Sequence, residues 1–287
     1  MRWGWFFVSP YIFSLVVFTG IGLVVAIYYA FTRYDLIQPP EWVGLQNFSR
    51  LIVRKDTWKA FRNVWVYTLL SLCVGTPTSL VFAVLLNQKI KGLSAFRVIY
   101  YIPGLTPTTA TTLVWARLFN PKGGVFNRIL GFVGLGPFDF NFSTNWFEFI
   151  VSIIIMGLWA GLGSGTIYYI AGLQSISKDL IEAADIDGAS RVRKFFKITL
   201  PLLSPTIFFC MIIGVSSSLQ VFEQFYLLQQ DTGVEIHVVN SLIYSLMWGS
   251  RSVVGEASAL GWLSFIFIAL VTWLQKKYEK KWVYYEA

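Results

Sequence analysis

Charge is scarce in this sequence: Asp, Glu, Lys and Arg together make up 13% of 287 residues, about half the ~25% usual for soluble chains. A water-soluble fold of this length could not cover its surface with so few charges. Intrinsic disorder is excluded by the same composition, because it needs low hydrophobicity and high net charge. Cysteine is limited to Cys73 and Cys210. Both lie inside long apolar stretches, which argues against a disulfide scaffold and leaves them as small hydrophobes. The single histidine, His237, excludes a multi-histidine metal site. There is no Walker A sequence, no Ser-His-Asp set and no pair of intramembrane carboxylates. Nucleotide hydrolysis by the P-loop route is therefore excluded, and no catalytic set is visible.

Apolar residues are what the chain has in abundance, at 55%, with 18% aromatics and twelve Trp. The mean hydropathy of +0.60 describes a polytopic membrane protein. A bilayer core of ~30 Å needs roughly 20 apolar helical residues. Six stretches meet that length, at about 6–30, 65–87, 98–119, 147–170, 204–227 and 257–275. The expectation is an all-α fold with six transmembrane helices, residues 1–287 forming one transmembrane domain. The first stretch is too long for a cleaved signal peptide and has no small-residue cleavage site. Pro77, Pro103, Pro107 and Pro205 fall within or near these spans. They are read as bends, since neighbouring helices can satisfy the freed carbonyls.

An even number of spans puts both termini on one side of the membrane. With the termini inside, 13 of the 23 basic residues fall on the inner segments, where the basic density is then roughly doubled. The net charge of +8 is explained by such flanking residues, with no run dense enough for a nucleic-acid tail. One segment opposes this orientation: 31–64 would lie outside and carries six basic residues. The outer segments 31–64, 120–146 and 228–256 contain Trp, Phe, Pro and Gly and read as packed caps.

Polar residues inside a span are costly and mark cavities or partners. Ser216, Gln220 and Glu223 are spaced four and three apart, so a continuous helix would carry them on one face. Two readings stay open: a stripe lining a translocation path, or a Glu223 that snorkels to the interface or caps a helix. Gly157, Gly161 and Gly165 recur every fourth residue and read as a ridge for close helix approach.

The segment 171–203 is patterned as two short helices. Asp179 reads as a cap with Glu182 three residues on, as in a capping box. Leu180, Ala183 and Ala184 give a small apolar face, and Gly188 supplies a left-handed end. Ser190 then caps a second helix from Arg191 to Leu200, ending at Pro201.

Glu182-Ala183-Ala184, three residues, Gly188, nine residues, then Ile198-Thr199-Leu200-Pro201 matches in full the EAA signature. The chain thus resembles permease subunits of binding-protein-dependent ABC importers. Further stretches are similar to the first permease of maltose and glycerol-phosphate type systems. They are Ser9-Pro10-Tyr11, Ala30 to Asp35, Val43 to Phe48, Arg97 to Pro103, Trp115 to Asn120, Gln220 to Glu223 and Gly255 to Ala259. Three departures stand out: Gln229-Gln230-Asp231-Thr232-Gly233 in place of a Thr-Gly-Gly-Pro-like turn, no large external insertion, and no long basic N-terminal tail.

The resemblance implies a non-catalytic multi-pass subunit of a bacterial or archaeal cytoplasmic membrane, with both termini cytoplasmic. Its implied partners are a second permease, two ATPase subunits that bind ATP and Mg, an extracellular or periplasmic solute-binding protein, and a carbohydrate substrate; nucleic acid is not among them. No cofactor is expected in this chain. ATPase coupling is implied for Glu182, Ala183, Ala184, Asp185, Gly188, Ile198, Leu200 and Pro201, and a substrate path for Ser216, Gln220 and Glu223. A secondary transporter or channel working without ATPases is the alternative, and it would call for an inverted repeat that the sequence does not suggest.

Overall fold

A computed structural model describes residues 2–88, 92–120, 123–134, 146–232, 236–249 and 252–284. These residues are mostly helical, and among them five helices are long and apolar enough to cross a membrane: Trp5–Ala30, Lys55–Leu86, Trp146–Ser175, Ser204–Gln230 and Val254–Glu279. The stretch at 98–119 is not among them. Its residues form two shorter helices, so the expected bend is a break. Its cause is Pro107, which pushes the preceding residue out of the helical region; Thr106 is extended at ψ 133°. Pro77 and Pro10, by contrast, sit inside continuous helix. Packing divides the chain into two compact units, Met1–Arg62 with His237–Ala269, and Asn63–Ile236 with Leu270–Ala287.

In the first unit, α1 (Arg2–Ser14) passes through a π-helical turn at Leu15–Gly20 into α2 (Ile21–Ala30). Most of the described side chains of this span are exposed, among them Phe7 and Phe18, as suits a surface facing lipid. A small antiparallel hairpin of β1 (Thr32–Arg33) and β2 (Glu41–Trp42) follows, with Thr32 opposite Trp42. Between the strands the Asp35 carboxylate accepts the N–H groups of Ile37 and Gln38, which holds its pKa below the ordinary value. Then comes α3 (Gln46–Val53), whose buried Asn47 donates to the carbonyls of Ala30 at 2.9 Å and Thr32 at 2.8 Å. Arg50 and Arg54 each lie 3.5 Å from Glu256. The cap expected over 31–64 is therefore tied by buried amide bonds and an ion-pair cluster.

The second unit holds most of α4 (Lys55–Leu86), then α5 (Leu93–Leu105), α6 (Thr108–Leu118), α7 (Val125–Phe132) and α8 (Trp146–Ser175). Beyond α8 lie α9 (Lys178–Ile186), α10 (Arg191–Lys194), a π turn, α11 (Leu200–Leu202), α12 (Ser204–Leu219) and α13 (Glu223–Thr232). The first unit is completed by α14 (Val239–Trp248) and the start of α15 (Val254–Glu279). Fully buried Phe149, Ile150 and Ile153 make α8 the spine of the second unit. Phe225 of α13 meets Tyr67 and Phe149 edge-on, each with ring centres 5.5 Å apart. Trp115 of α6 packs against Phe119, Phe126 and Trp159. Of the expected cap at 120–146, residues 121–122 and 135–145 lie outside the described chain.

The glycine ridge needs correcting. A Cβ on Gly161 would meet nothing within 4 Å, because that position borders open space. The close approach is at Gly163, where a Cβ would come within 2.9 Å of the Tyr100 carbonyl of α5. The same contact is fastened by a 3.0 Å hydrogen bond between the Tyr100 and Thr166 hydroxyls. Gly165 also packs closely, against Ser79 of α4, whereas Gly157 only touches Tyr67. Spacing alone could not tell the packed face of α8 from its open one.

Candidate functional site

The loop between α8 and α12 carries the EAA signature, and its helices are closed at both ends. Ser177, not Asp179, caps α9, its hydroxyl accepting the Asp179 N–H. Asp179 therefore lies in the first turn, and Glu182 falls too far along to complete a capping box. At the other end Gly188 has φ +72°. Its N–H donates to the Asp185 carbonyl at 3.1 Å and that of Ala189 to Ala184 at 2.9 Å, the paired bonds of a Schellman ending. Ser190 caps α10 by accepting the Arg193 N–H. Lys194 pairs with Asp185 across the turn. The second helix runs past its expected end at Leu200 to Leu202, because Pro201 stands at the start of a helical segment, where its missing N–H costs nothing.

Within this loop Ala184 is buried, Glu182, Ala183 and Pro201 are exposed, and Ile198 and Leu200 are half-buried. Leu180 and Ala183 share an exposed face of α9 with Asp187 just beyond its end. The base of the loop is an apolar cluster of Ala83, Tyr169, Ile170 and Leu203, joining the ends of α4, α8 and α12.

Higher in the same unit lies a cavity of about 580 Å³, bordered by Tyr67, α6, the open face of α8 and the junction of α12 with α13. Two helix breaks meet there. At the first, the Pro103 carbonyl that Pro107 cannot reach accepts the Thr106 N–H at 3.2 Å, and the Thr106 hydroxyl donates to the Ile102 carbonyl at 3.3 Å. At the second, α12 ends at Leu219, so Ser216, Gln220 and Glu223 do not share one continuous helical face. Gln220 donates its amide to the Ser216 carbonyl at 2.9 Å, closing α12. Gln220 and Glu223 both border the cavity and Ser216 does not; Ser217 and Ser218 do. Glu223 also begins α13, where a carboxylate is favoured by the helix dipole, so its two sequence readings are compatible. Tyr67, Gly157, Gly161, Ser217 and Ser218 also border a second, more apolar cavity of about 360 Å³, so the two adjoin along α8.

The threonines Thr106, Thr108, Thr111 and Thr112 of this wall were missed by reasoning from the sequence. Their signal was present as five threonines between residues 106 and 112, crowded around Pro107 in an otherwise apolar stretch. Hydroxyls and amides dominate the polar lining, and Glu223 is its one charged side chain. Such a surface can hydrogen-bond polyhydroxylated solutes through many weak, exchangeable contacts. Among the described residues no cluster of His, Cys, Asp or Glu could hold a metal ion.

Comparison with known proteins agrees with this architecture. Residues 57–282 match the family described as the binding-protein-dependent transport system inner membrane component. The chain is 32% identical to the probable ABC transporter permease protein YesP of Bacillus subtilis, over 99% of this chain and 92% of that protein. It is also 32% identical to the trehalose/maltose transport system permease protein MalF of Thermococcus litoralis, over 78% and 76%. A crystal structure of a bacterial ABC transporter that imports the acidic polysaccharide alginate superposes with a TM-score of 0.82 at 27% identity, covering 95% of this chain and 93% of that one.

Proposed function

The chain belongs to the family of inner membrane components of binding-protein-dependent transport systems, and on that premise we propose that it passes a sugar or oligosaccharide from an external binding protein to the cytoplasm. It is a permease subunit of an ABC-type importer and works with partner ATPase subunits, which carry out the hydrolysis. The chain forms six spans, α5 and α6 serving as a broken third span. Both termini and the EAA loop face the cytoplasm. A second, different permease completes the translocation path, and two ATPases sit beneath the pair.

One observation carries the mechanism: α9 is a short helix closed at both ends, in a loop whose two ends meet at the apolar cluster joining α4, α8 and α12. A helix so closed moves as a body. Closure of the ATPase pair on ATP pushes α9, and the apolar cluster at the loop's two ends passes the displacement to α8 and α12, which border both cavities. Alternating access then follows as a two-state rigid-body switch. The names of the relatives and the hydroxyl-rich lining support a carbohydrate substrate.

The test is reconstitution of the four-subunit complex with its binding protein. Sugar-loaded binding protein should stimulate ATP hydrolysis, and Glu182→Lys should abolish ATPase attachment while Glu182→Gln weakens it. Ion-coupled uptake by the isolated chain, without ATPases, would overturn the reading.

A further inference from the structure

Below the two cavities along α8, where α4 and α8 end, the EAA loop encloses a separate cavity of about 560 Å³ that shares only Glu182 with the proposed ATPase contact. Its wall has two halves. Leu173, Ile176, Ile181 and Phe195 are apolar, and Lys178, Arg191 and Lys194 bring three cations against the single carboxylate of Glu182. Lys194 is largely covered, with 16% of its side chain exposed, and is held in place by Asp185. The Schellman ending at Gly188 and the Ser190 cap fix the angle between α9 and α10, and with it the separation of Lys178 from Arg191. The cavity also lies on the face of α9 carrying Lys178, Ile181 and Glu182, whereas Leu180 and Ala183 occupy the opposite face. An ATPase seated on Leu180 and Ala183 meets the cavity only at Glu182.

A basic rim beside an apolar wall, at the depth where two spans run out of apolar residues, selects an amphiphilic anion. We infer that this cavity binds the phosphodiester headgroup of an anionic phospholipid from the inner leaflet. Arg191 offers a planar fork to two phosphate oxygens, Lys178 adds a point charge, and the glycerol and upper acyl carbons lie against Leu173 and Phe195. A volume of several hundred Å³ suits a headgroup. Bound there, the lipid ties α10 to the ends of α4 and α8, so the loop senses the charge of the leaflet. The inference rests on the reading that this loop faces the cytoplasm.

The complex, in nanodiscs containing phosphatidylglycerol and phosphatidylcholine, is analysed by native mass spectrometry. Phosphatidylglycerol should be retained in preference to phosphatidylcholine. The Lys178→Gln/Arg191→Gln variant should lose that retention by roughly tenfold or more, as expected from ~1 kcal/mol for each cation near a lipid surface. Inorganic phosphate and glucose 6-phosphate should not displace it. Equal retention in the variant overturns the site, and displacement by either soluble phosphate overturns the lipid as its occupant. If the double variant does not assemble, Arg191→Gln alone carries the same test. ATPase subunits are counted in the same spectra: bound ATPase with unchanged lipid retention sinks this inference alone, and missing ATPase in the wild-type complex sinks the importer reading.

Discussion

The EAA loop and the polar cavity sit at opposite reaches of the second unit, and both interrupt helices that would otherwise run on. They differ in how each interruption is closed. In the loop, Ser177 and Ser190 cap helix starts and Gly188 turns a helix end. The turn is further braced by the Lys194–Asp185 pair. At the cavity, the breaks at Pro107 and after Leu219 combine a backbone turn with a side chain from the same segment, Thr106 onto Ile102 and Gln220 onto Ser216. Backbone freed inside a membrane is tolerated where it lines a cavity or finds such a partner. On the proposed mechanism, one region acts as a stiff lever and the other as a wall whose hydrogen bonds are exchanged for those of a solute.

The largest effect should come from driving the packed and open faces of α8 apart by substitution. Gly163→Leu would force a side chain into the backbone of α5, and overpacking of this kind costs ~1–3 kcal/mol or more. It should lower the yield and melting temperature of the purified complex. Gly161→Leu should leave melting nearly unchanged but obstruct the cavity, which sugar uptake would report. Equal melting losses in both variants would erase the distinction between the two faces. A smaller effect is expected from Gln220→Ala and Glu223→Ala: reduced uptake with normal assembly and basal hydrolysis. Unchanged uptake in both would return Glu223 to a purely capping role. The smallest effect should be that of Ser177→Ala, which removes one cap worth ~1 kcal/mol. It should soften α9, seen as faster amide exchange at Asp179, without detaching the ATPase.

Much of this contrast was legible in the sequence. The six apolar stretches, the left-handed Gly188 and the Ser190 cap follow from composition and local turn chemistry, which act over a few residues. The break at Thr106–Pro107 was not, since a membrane helix can bend at proline and which outcome wins depends on what can satisfy the freed carbonyls. The same holds for Gln220: its amide competes for the Ser216 carbonyl and ends a helix that periodicity alone would have continued. Asp179 and Ser177 are both good caps by type, and only the hydrogen bond to the Asp179 N–H decides between them. Gly161 and Gly163 differ in no local property; what separates them is the neighbouring helix.

The claim that α9 acts as a stiff lever is tested most directly at Gly188, by pull-down of ATPase subunits and sugar-stimulated hydrolysis with Gly188→Val and Gly188→Asn side by side. A left-handed backbone costs an ordinary L-residue ~1–2 kcal/mol, whereas asparagine adopts it readily. Gly188→Val should lose most ATPase attachment and nearly all stimulation, and Gly188→Asn should keep both. Full attachment and full stimulation in Gly188→Val would contradict the lever and the coupling built on it.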